Sequence, residues 1–231
     1  MPQRPHPQQR TEPEASLLAP GDTPASGASR PEDPDMASES ITIAGDKAKW
    51  LLAGVRTIAN WPKPGVMFKD ITPLFQDAER FRCMVGILAE RHKDSRTQLV
   101  AGIDARGFML GAALAFAMGL GFVPIRKAGK LPGATFCEDY ALEYGTARVE
   151  IHTDACQAGT RILLVDDLIA TGGTMLAGAR LLQRLGAELI EAVAIVDLLD
   201  LGGSERLAKA GIKTYSLLVL ESGDQHRAEA S

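Results

Sequence analysis

Two hydrophobic patterns alternate along the chain from about residue 50 onward. Short runs of consecutive apolar residues predict strands buried on both faces, over 99–103, 122–125, 162–165 and 190–196. Apolar residues spaced for one face of a helix predict amphipathic helices over 51–58, 81–88, 108–118 and 175–185. Strands that alternate with helices are typical of the α/β class. We therefore expect a doubly wound, mostly parallel sheet with right-handed crossovers.

Two segments between these elements break the pattern. The turn residues 63–65 precede a short extended segment, 66–71. Farther along, residues 127–142 are rich in glycine and charge, and apolar and polar residues then alternate over 147–151 as in a half-exposed strand. A long irregular insertion in a compact α/β domain is usually functional. We expect a lid or hairpin insertion over about 127–145.

The first 40 residues differ in composition from the rest of the chain. They contain eight of the 13 prolines, no aromatic residue, no valine and no isoleucine. Such a segment lacks the apolar surface that would offset the entropy lost on folding. We therefore expect a disordered N-terminal extension over 1–40 and a single domain over 41–231.

Charge and cysteine content exclude several classes of function. The formal net charge is −4 with both signs mixed, so no basic patch indicates a nucleic-acid partner. No apolar run approaches the ~18 residues of a membrane span, and the N-terminus lacks the apolar stretch of a secretory signal. The three cysteines are far apart and predict neither a disulfide framework nor a metal site. We expect a cytoplasmic protein with no membrane partner.

The strongest chemical signal lies at 161–174. An apolar strand ends there in Asp166 and Asp167, and a loop of small residues leads into a helix. The first turn of a helix offers unpaired backbone N–H groups and the positive end of the helix dipole, which suit a phosphate. Carboxylates beside a phosphate would repel it unless they accept hydrogen bonds from hydroxyls such as those of a sugar. The segment therefore predicts a site for a ribose 5-phosphate, and it matches neither a Walker loop nor a dinucleotide fingerprint.

Residues that follow two other strands predict a second anion site. A short turn at 104–107 contains Arg106, and Arg126, Lys127 and Lys130 begin the predicted lid. The carboxyl ends of neighbouring parallel strands meet at one edge of a sheet, so we expect these groups to converge on one crevice. Cations in a closing loop neutralise an anionic leaving group.

The strand, the two acids and the loop Thr171-Gly172-Gly173-Thr174 resemble the motif that binds phosphoribosyl pyrophosphate (PRPP) in type I phosphoribosyltransferases. Over residues 46–220 the chain resembles, more narrowly, the adenine phosphoribosyltransferase family. The stretches that carry this resemblance are Pro64–Ile71, Ala101–Phe108, Ile125–Gly133, Leu142–Gly145 and Arg161–Thr174. The resemblance implies conversion of adenine and PRPP to AMP and pyrophosphate in a homodimer, with Mg²⁺ held mainly by PRPP and water.

The resemblance also implies roles for residues around the base. Backbone groups of Val66, Met67 and Lys69 would hydrogen-bond to the purine edge. Phe68 and Leu168 would pack on the two faces of the ring, which suits a flat base. Lys69 occupies a position where arginine is common in the family. The compact ammonium of lysine therefore replaces the planar guanidinium of arginine.

The remaining roles concern PRPP and the lid. Glu143 would act as the acid/base residue, beside Tyr144, where the lid reaches the base. The residues implied to hold the ribose hydroxyls and the 5-phosphate are Asp166, Asp167, Ala170, Thr171, Gly172, Gly173 and Thr174. Those implied to face the pyrophosphate are Arg106, Arg126, Lys127 and Lys130.

Two alternatives remain open on the sequence alone. The first is a phosphoribosyltransferase for another base, such as xanthine, guanine or orotate. A 6-oxopurine site typically needs a side-chain donor near the base, and Lys69 is the one candidate for that donor. The second is a regulatory protein that binds PRPP without catalysis. Such proteins usually carry a nucleic-acid-binding element, and the acidic N-terminal 40 residues provide a poor one.

Overall fold

The structure is a computed structural model that describes residues 45–141 and 145–221. The helices in these ranges are α1 (Asp46–Leu52), α2 (Thr72–Gln76), α3 (Ala78–His92), α4 (Arg106–Met118), α5 (Gly173–Arg184) and α6 (Gly203–Lys209). The strands are β1 (Arg56–Ala59), β2 (Met67–Asp70), β3 (Leu99–Ile103), β4 (Gly121–Lys127), β5 (Thr135–Ala141), β6 (Thr146–His152), β7 (Arg161–Val165), β8 (Leu168–Ile169), β9 (Glu188–Leu198) and β10 (Thr214–Leu220). None of the described helices is long and apolar enough to cross a membrane.

The main sheet has eight strands, seven of them in the order β10-β9-β7-β3-β4-β6-β5, with β8 paired to β9. Strands β10, β9, β7, β3 and β4 run parallel to one another. Strands β5 and β6 add an antiparallel hairpin at the β4 edge. Strands β1 and β2 form a separate two-stranded antiparallel sheet.

Successive residues of the central strands pack on opposite faces of the sheet. Ala101, Ile103 and Leu164 face a cluster that includes the apolar side of α5. Val100 and Leu163 face the other cluster, which includes α3 and α4. This alternation follows from the two-residue repeat of a strand, and it explains why these strands are apolar throughout. The predicted class, a doubly wound α/β fold with a mostly parallel sheet and a hairpin insertion, is confirmed.

Two predictions of local structure were wrong. The helix predicted over 51–58 ends at Leu52, because residues from Arg56 onward pair with β2 as strand β1. Residues 127–142 were expected to be irregular, yet β5 within this segment pairs with β6 along its whole length. In both cases the segment forms a strand because it pairs with another strand. The spacing of apolar residues within the segment does not indicate that partner. Helix α6 and strand β10 were not predicted.

Candidate active site

The fold places the candidate site where the chain direction across the sheet changes. From β3 the chain crosses through α4 to β4, whereas from β7 it crosses through α5 to β9 on the other side. Because β3 and β7 are neighbours, a crevice opens between the loops that follow them. Ligands of open α/β sheets bind at this position, outside the carboxyl ends of the strands.

The loop after β7 forms a small cradle at the start of α5. Gly172 lies at the helix N-cap with φ 72°, a left-handed conformation that favours glycine. A cavity of about 70 Å³ is lined by Asp166, Leu168, Ile169, Ala170, Thr171, Gly172, Gly173, Thr174 and Met175. All the residues predicted to hold the ribose 5-phosphate except Asp167 therefore line one cavity at a helix N-terminus, which is a suitable site for an anion.

The shape of this cradle depends on α6, which the sequence patterns did not indicate. A Cβ atom on Gly203 would lie 2.2 Å from the carbonyl oxygen of Ala170 and 2.7 Å from the amide nitrogen of Gly172. The start of α6 thus packs directly against the phosphate loop. Arg206 from the same helix donates a hydrogen bond of 3.4 Å to the carbonyl oxygen of Thr171. The glycine pair Gly202-Gly203 was the available signal in the sequence, because adjacent glycines often mark a close backbone approach.

The two acids at the end of β7 have different surroundings. Asp166 is buried, and its Oδ1 accepts a hydrogen bond of 2.8 Å from the amide of Asp167. Burial raises the pKa of Asp166 well above its ordinary value, and the neighbouring charge of Asp167 adds to the effect. Asp167 instead forms an ion pair with Arg106. The pair joins the loop after β7 to the turn after β3, so the two predicted anion sites are adjacent.

The turn after β3 contains a cis peptide bond between Asp104 and Ala105. The turn approaches β7 closely, since a Cβ atom on Gly107 would lie 2.7 Å from the carbonyl oxygen of Val165 and 3.1 Å from Oδ1 of Asp166. Arg106 begins α4 and is about half exposed, so its guanidinium faces the crevice while it contacts Asp167. This geometry can present backbone N–H groups and a cation to a second anion.

The cations at the start of the predicted lid lie next to this turn. The Nε atom of Arg126 lies 3.5 Å from Oδ2 of Asp104, and it is buried without a hydrogen-bond partner. Lys127 and Lys130 are exposed on the loop that follows. Asp104 and Arg126 are thus brought together, as the sequence predicted for residues at strand ends.

Of the residues predicted to bind the base, Met67, Phe68 and Lys69 lie on β2 and Val66 directly precedes it, whereas Leu168 lies on β8. Within residues 45–141 and 145–221 the sheet of β1 and β2 has two strands, so one edge of β2 has no strand partner there and its outward-facing N–H and C=O groups can pair with a ligand. Lys69 directs its amine to the hydroxyl of Thr57 at 3.3 Å, and Phe68 packs edge-on against Trp61 with ring centroids 4.4 Å apart. That Phe68 and Leu168 enclose a base stays a prediction.

Glu143 and Tyr144 lie outside the described residues. Their neighbour Ala141 is described, and it ends β5 beside the phosphate cradle. A Cβ atom on Gly173 would lie 3.2 Å from the carbonyl oxygen of Ala141. In the sequence Glu143 follows Ala141 by two residues. The acid/base role of Glu143 stays a prediction.

Other parts of the described structure were compared with this crevice. Among the described residues, no group of three or more His, Cys, Asp or Glu side chains is placed to hold a metal ion. A larger cleft, of about 430 Å³, lies between the ends of α3 and α4 and contains none of the predicted site residues. The crevice at β3 and β7 is therefore the candidate site.

The fold and a family match define the class of protein. A family described as the phosphoribosyl transferase domain matches residues 76–216, which include β3, β7 and both loops. The crevice and the family match together define a phosphoribosyltransferase domain.

Similar proteins narrow this class. A protein of Cupriavidus taiwanensis named adenine phosphoribosyltransferase is 56% identical over 177 residues, which are 77% of this chain and 93% of that protein. A crystal structure of the enzyme of the same name from Rhodothermus marinus is 42% identical, with a TM-score of 0.71 over 75% of this chain and 98% of that chain. The enzyme from Saccharomyces cerevisiae, solved with an imino-altritol bisphosphate and adenine, is 36% identical with a TM-score of 0.70 over 74% and 98%. The chain belongs to the adenine phosphoribosyltransferase family.

Proposed function

We propose that this protein transfers the 5-phosphoribosyl group of PRPP to adenine and so forms AMP and pyrophosphate. The observation that carries the proposal is the pair of anion sites on the neighbouring strands β3 and β7, joined by the contact between Arg106 and Asp167. PRPP has a phosphate at one end and a pyrophosphate at the other, so a protein that binds it needs two such sites side by side.

The 5-phosphate end would occupy the cradle at the start of α5. The N–H groups of Gly172 to Thr174 are in the first turn of this helix, where they have no partner four residues earlier within the helix. The hydroxyls of Thr171 and Thr174 add donors. The carboxylates of Asp166 and Asp167 would then accept hydrogen bonds from the ribose hydroxyls. Hydroxyl groups can donate hydrogen bonds to a carboxylate, whereas an ionised phosphate cannot.

The pyrophosphate end would face the turn after β3 and the lid cations. Arg126 lies beside Asp104 of this turn, with its Nε 3.5 Å from Oδ2, and Lys127 and Lys130 are exposed nearby. As the bond at the anomeric carbon breaks, negative charge grows on the leaving pyrophosphate. Cations fixed at that place stabilise the transition state more than the ground state.

Phosphoribosyltransferases generally use PRPP together with Mg²⁺. Two acids of the crevice form ion pairs with guanidinium groups, Asp104 with Arg126 and Asp167 with Arg106. This donor set suits an ion that arrives on the oxygens of PRPP and keeps bound water, as Mg²⁺ commonly does. When bound, the ion would neutralise charge on the pyrophosphate.

Adenine would bind against the outward edge of β2. A backbone edge offers a fixed pattern of donors and acceptors, and adenine and hypoxanthine present opposite patterns at N1 and position 6. The wrong base would leave buried polar groups unpaired, which strongly disfavours it. The amine of Lys69 donates a hydrogen bond to the hydroxyl of Thr57 along the hairpin.

Glu143 would relay or stabilise the proton that adenine loses as the new bond forms. Its position two residues after Ala141, which ends β5 at the cradle, supports this role. Glu143→Gln keeps the size of the side chain but cannot take a proton. We expect its kcat to fall by about 100-fold with little change in KM, a loss typical of a general acid or base. Single-turnover kinetics, which separate chemistry from product release, would overturn the role if the variant matched the parent.

A side-by-side turnover assay tests the proposed function. Purified protein with PRPP and Mg²⁺ is given adenine, hypoxanthine or guanine, and nucleotide formation is measured by chromatography. We expect AMP from adenine and a kcat/KM for hypoxanthine lower by about 1000-fold or more, because a site built to hydrogen-bond one pattern rejects the other. Comparable kcat/KM values for adenine, hypoxanthine and guanine would favour a phosphoribosyltransferase that accepts other purine bases. PRPP binding with no turnover of any base would favour the regulatory alternative.

We further propose that the enzyme acts in the cytoplasm as a homodimer without a nucleic-acid partner. The mixed surface charge and the absence of a basic stretch in the sequence support the last point. Sedimentation of the purified protein, with and without nucleic acid, tests both the dimer and the absence of binding.

A further inference from the structure

Glu150 is a buried acid behind the loop that leads from β4 to β5. It lies on β6, where its Cα is the register partner of Arg126 on one side and of Cys137 on the other. The residue is 4% exposed. Buried carboxylates are rare unless their charge is compensated. No ion pair of Glu150 occurs among the described residues, so the compensation comes from another source.

The backbone of the loop provides this compensation. One carboxylate oxygen of Glu150, Oε1, accepts hydrogen bonds from the amides of Lys130, at 2.8 Å, and Leu131, at 2.7 Å. The amide of Leu131, with those of Gly129 and Lys130, lowers the pKa of Glu150 although burial raises it. The side chain is therefore an anion at neutral pH and is bound by the loop as a ligand would be.

The backbone at Lys130 is held from both sides. The N–H group of Lys130 donates to Glu150, and its carbonyl oxygen accepts a hydrogen bond of 2.9 Å from a terminal nitrogen of Arg126. Two oppositely charged side chains from neighbouring strands thus hold the peptide groups on either side of the Lys130 Cα, while the Lys130 side chain remains exposed. A lysine on an otherwise glycine-rich loop would sample many positions without such contacts.

We propose that Glu150 is a positioning residue, which holds the loop so that Lys130 and Arg126 meet the pyrophosphate of PRPP in a fixed arrangement. The inference rests on the proposed function, because it assigns the loop to that substrate. Glu150 itself does not touch substrate. Its contribution is preorganisation, since a loop already ordered before binding loses less entropy when the pyrophosphate arrives.

Two variants remove the interaction in steps. Glu150→Gln keeps the shape and one carbonyl oxygen but loses the charge, so hydrogen bonds to a charged group become ordinary ones. We expect kcat/KM for PRPP and affinity for pyrophosphate to fall by about three- to tenfold. Glu150→Met removes both acceptors, and the loss should reach about 30-fold or more. The KM for adenine at saturating PRPP should change less than twofold in both variants.

A double-mutant cycle separates positioning from general stability. In the parent, Lys130→Ala should weaken pyrophosphate binding, measured by calorimetry, by about tenfold. In the Glu150→Met background the same change should cost less than threefold, because the unheld lysine contributes little. Equal effects of Lys130→Ala in both backgrounds would overturn the proposal.

Glu138→Gln is the matched control. Glu138 lies on the neighbouring strand β5 and pairs with Arg180 of α5 at 3.0 Å, so its loss removes an ion pair without touching the loop. We expect this control to bind pyrophosphate like the parent. Amide hydrogen exchange should be faster at Lys130 and Leu131 in the Glu150 variants and unchanged in the control.

The readouts distinguish the failure of this inference from that of the proposed function. If the parent binds pyrophosphate but forms no AMP, the function fails while the cycle still tests positioning. If Glu150→Met does not fold, Glu150→Gln carries the test, with its melting temperature as the check. Parent-like pyrophosphate affinity in a folded Glu150→Gln protein with faster loop exchange would contradict the proposal.

Discussion

Gly203 is the residue whose side-chain size should matter most to the phosphate cradle. A Cβ atom there would lie 2.2 Å from the carbonyl oxygen of Ala170, 2.7 Å from the amide nitrogen of Gly172 and 2.7 Å from Cγ2 of Ile169. Ordinary contacts begin at 3.4 Å. Gly203→Ala therefore requires the loop and α6 to separate by about 1 Å, and a misplacement of that size can cost about 100-fold in rate. Overpacking of this kind also costs about 1–3 kcal/mol of stability.

Steady-state kinetics and thermal unfolding of Gly203→Ala test this prediction. We expect kcat/KM for PRPP to fall by about 100-fold, while the KM for adenine changes little. Gly86→Ala is the control, because Gly86 lies within α3 and a Cβ there meets nothing within 4 Å. Alanine is favoured over glycine in a helix by about 1 kcal/mol, so the control should be slightly more stable and fully active. If Gly203→Ala had the same PRPP kinetics as the parent, binding of the 5-phosphate would not depend on the packing of α6 against the loop.

Three further outcomes are expected. Asp167→Ala should lower kcat/KM for PRPP by about ten- to 100-fold, since a hydrogen bond to a charged group contributes about 1.5–3 kcal/mol; unchanged kinetics would remove its ribose role. Lys69→Ala should leave the preference for adenine over hypoxanthine within threefold if backbone groups select the base, and lost selectivity would assign that task to the side chain. Burial raises the pKa of Glu191, but hydrogen bonds from Arg91 and His92 outweigh it and lower the pKa to about 2. The stability from Glu191 is present above its unfolded pKa of ~4.3 and is lost as pH falls toward 2, so Glu191→Gln should cost about 2 kcal/mol in urea unfolding at pH 7 and about half as much at pH 3. A cost independent of pH would refute this.

Much of the sheet and the loops at its carboxyl edge could be predicted from the sequence. The strands at 99–103 and 162–165 were found because parallel strands buried on both faces are apolar throughout. The loop between β7 and α5 was predicted because its signals are contiguous: the acids, the glycines and the helix start follow one another within 166–174. Local signals of this kind do not depend on distant parts of the chain.

The contributions of Gly203 and Glu150 could not be predicted in the same way. Gly203 shapes a loop about 30 residues earlier in the chain, and Glu150 holds an amide about 20 residues earlier, as is clear only when the sheet brings the elements together. In the sequence Glu150 is one charged residue in a strand that alternates, where an exposed position is the ordinary expectation. The wrong helix at 51–58 has the same origin, because pairing with β2 overrides the local period.

A crystal structure of the protein with AMP and pyrophosphate tests the central claim most directly, because it places both ends of the reaction at once. We expect the 5-phosphate within 3.2 Å of the backbone amides of Gly172 to Thr174, a range typical of N–H···O hydrogen bonds. The pyrophosphate should lie between Arg106 and Lys130, and adenine should lie along the outer edge of β2. A nucleotide whose phosphate lies elsewhere, or whose base does not meet β2, would contradict the assignment of this crevice as the active site.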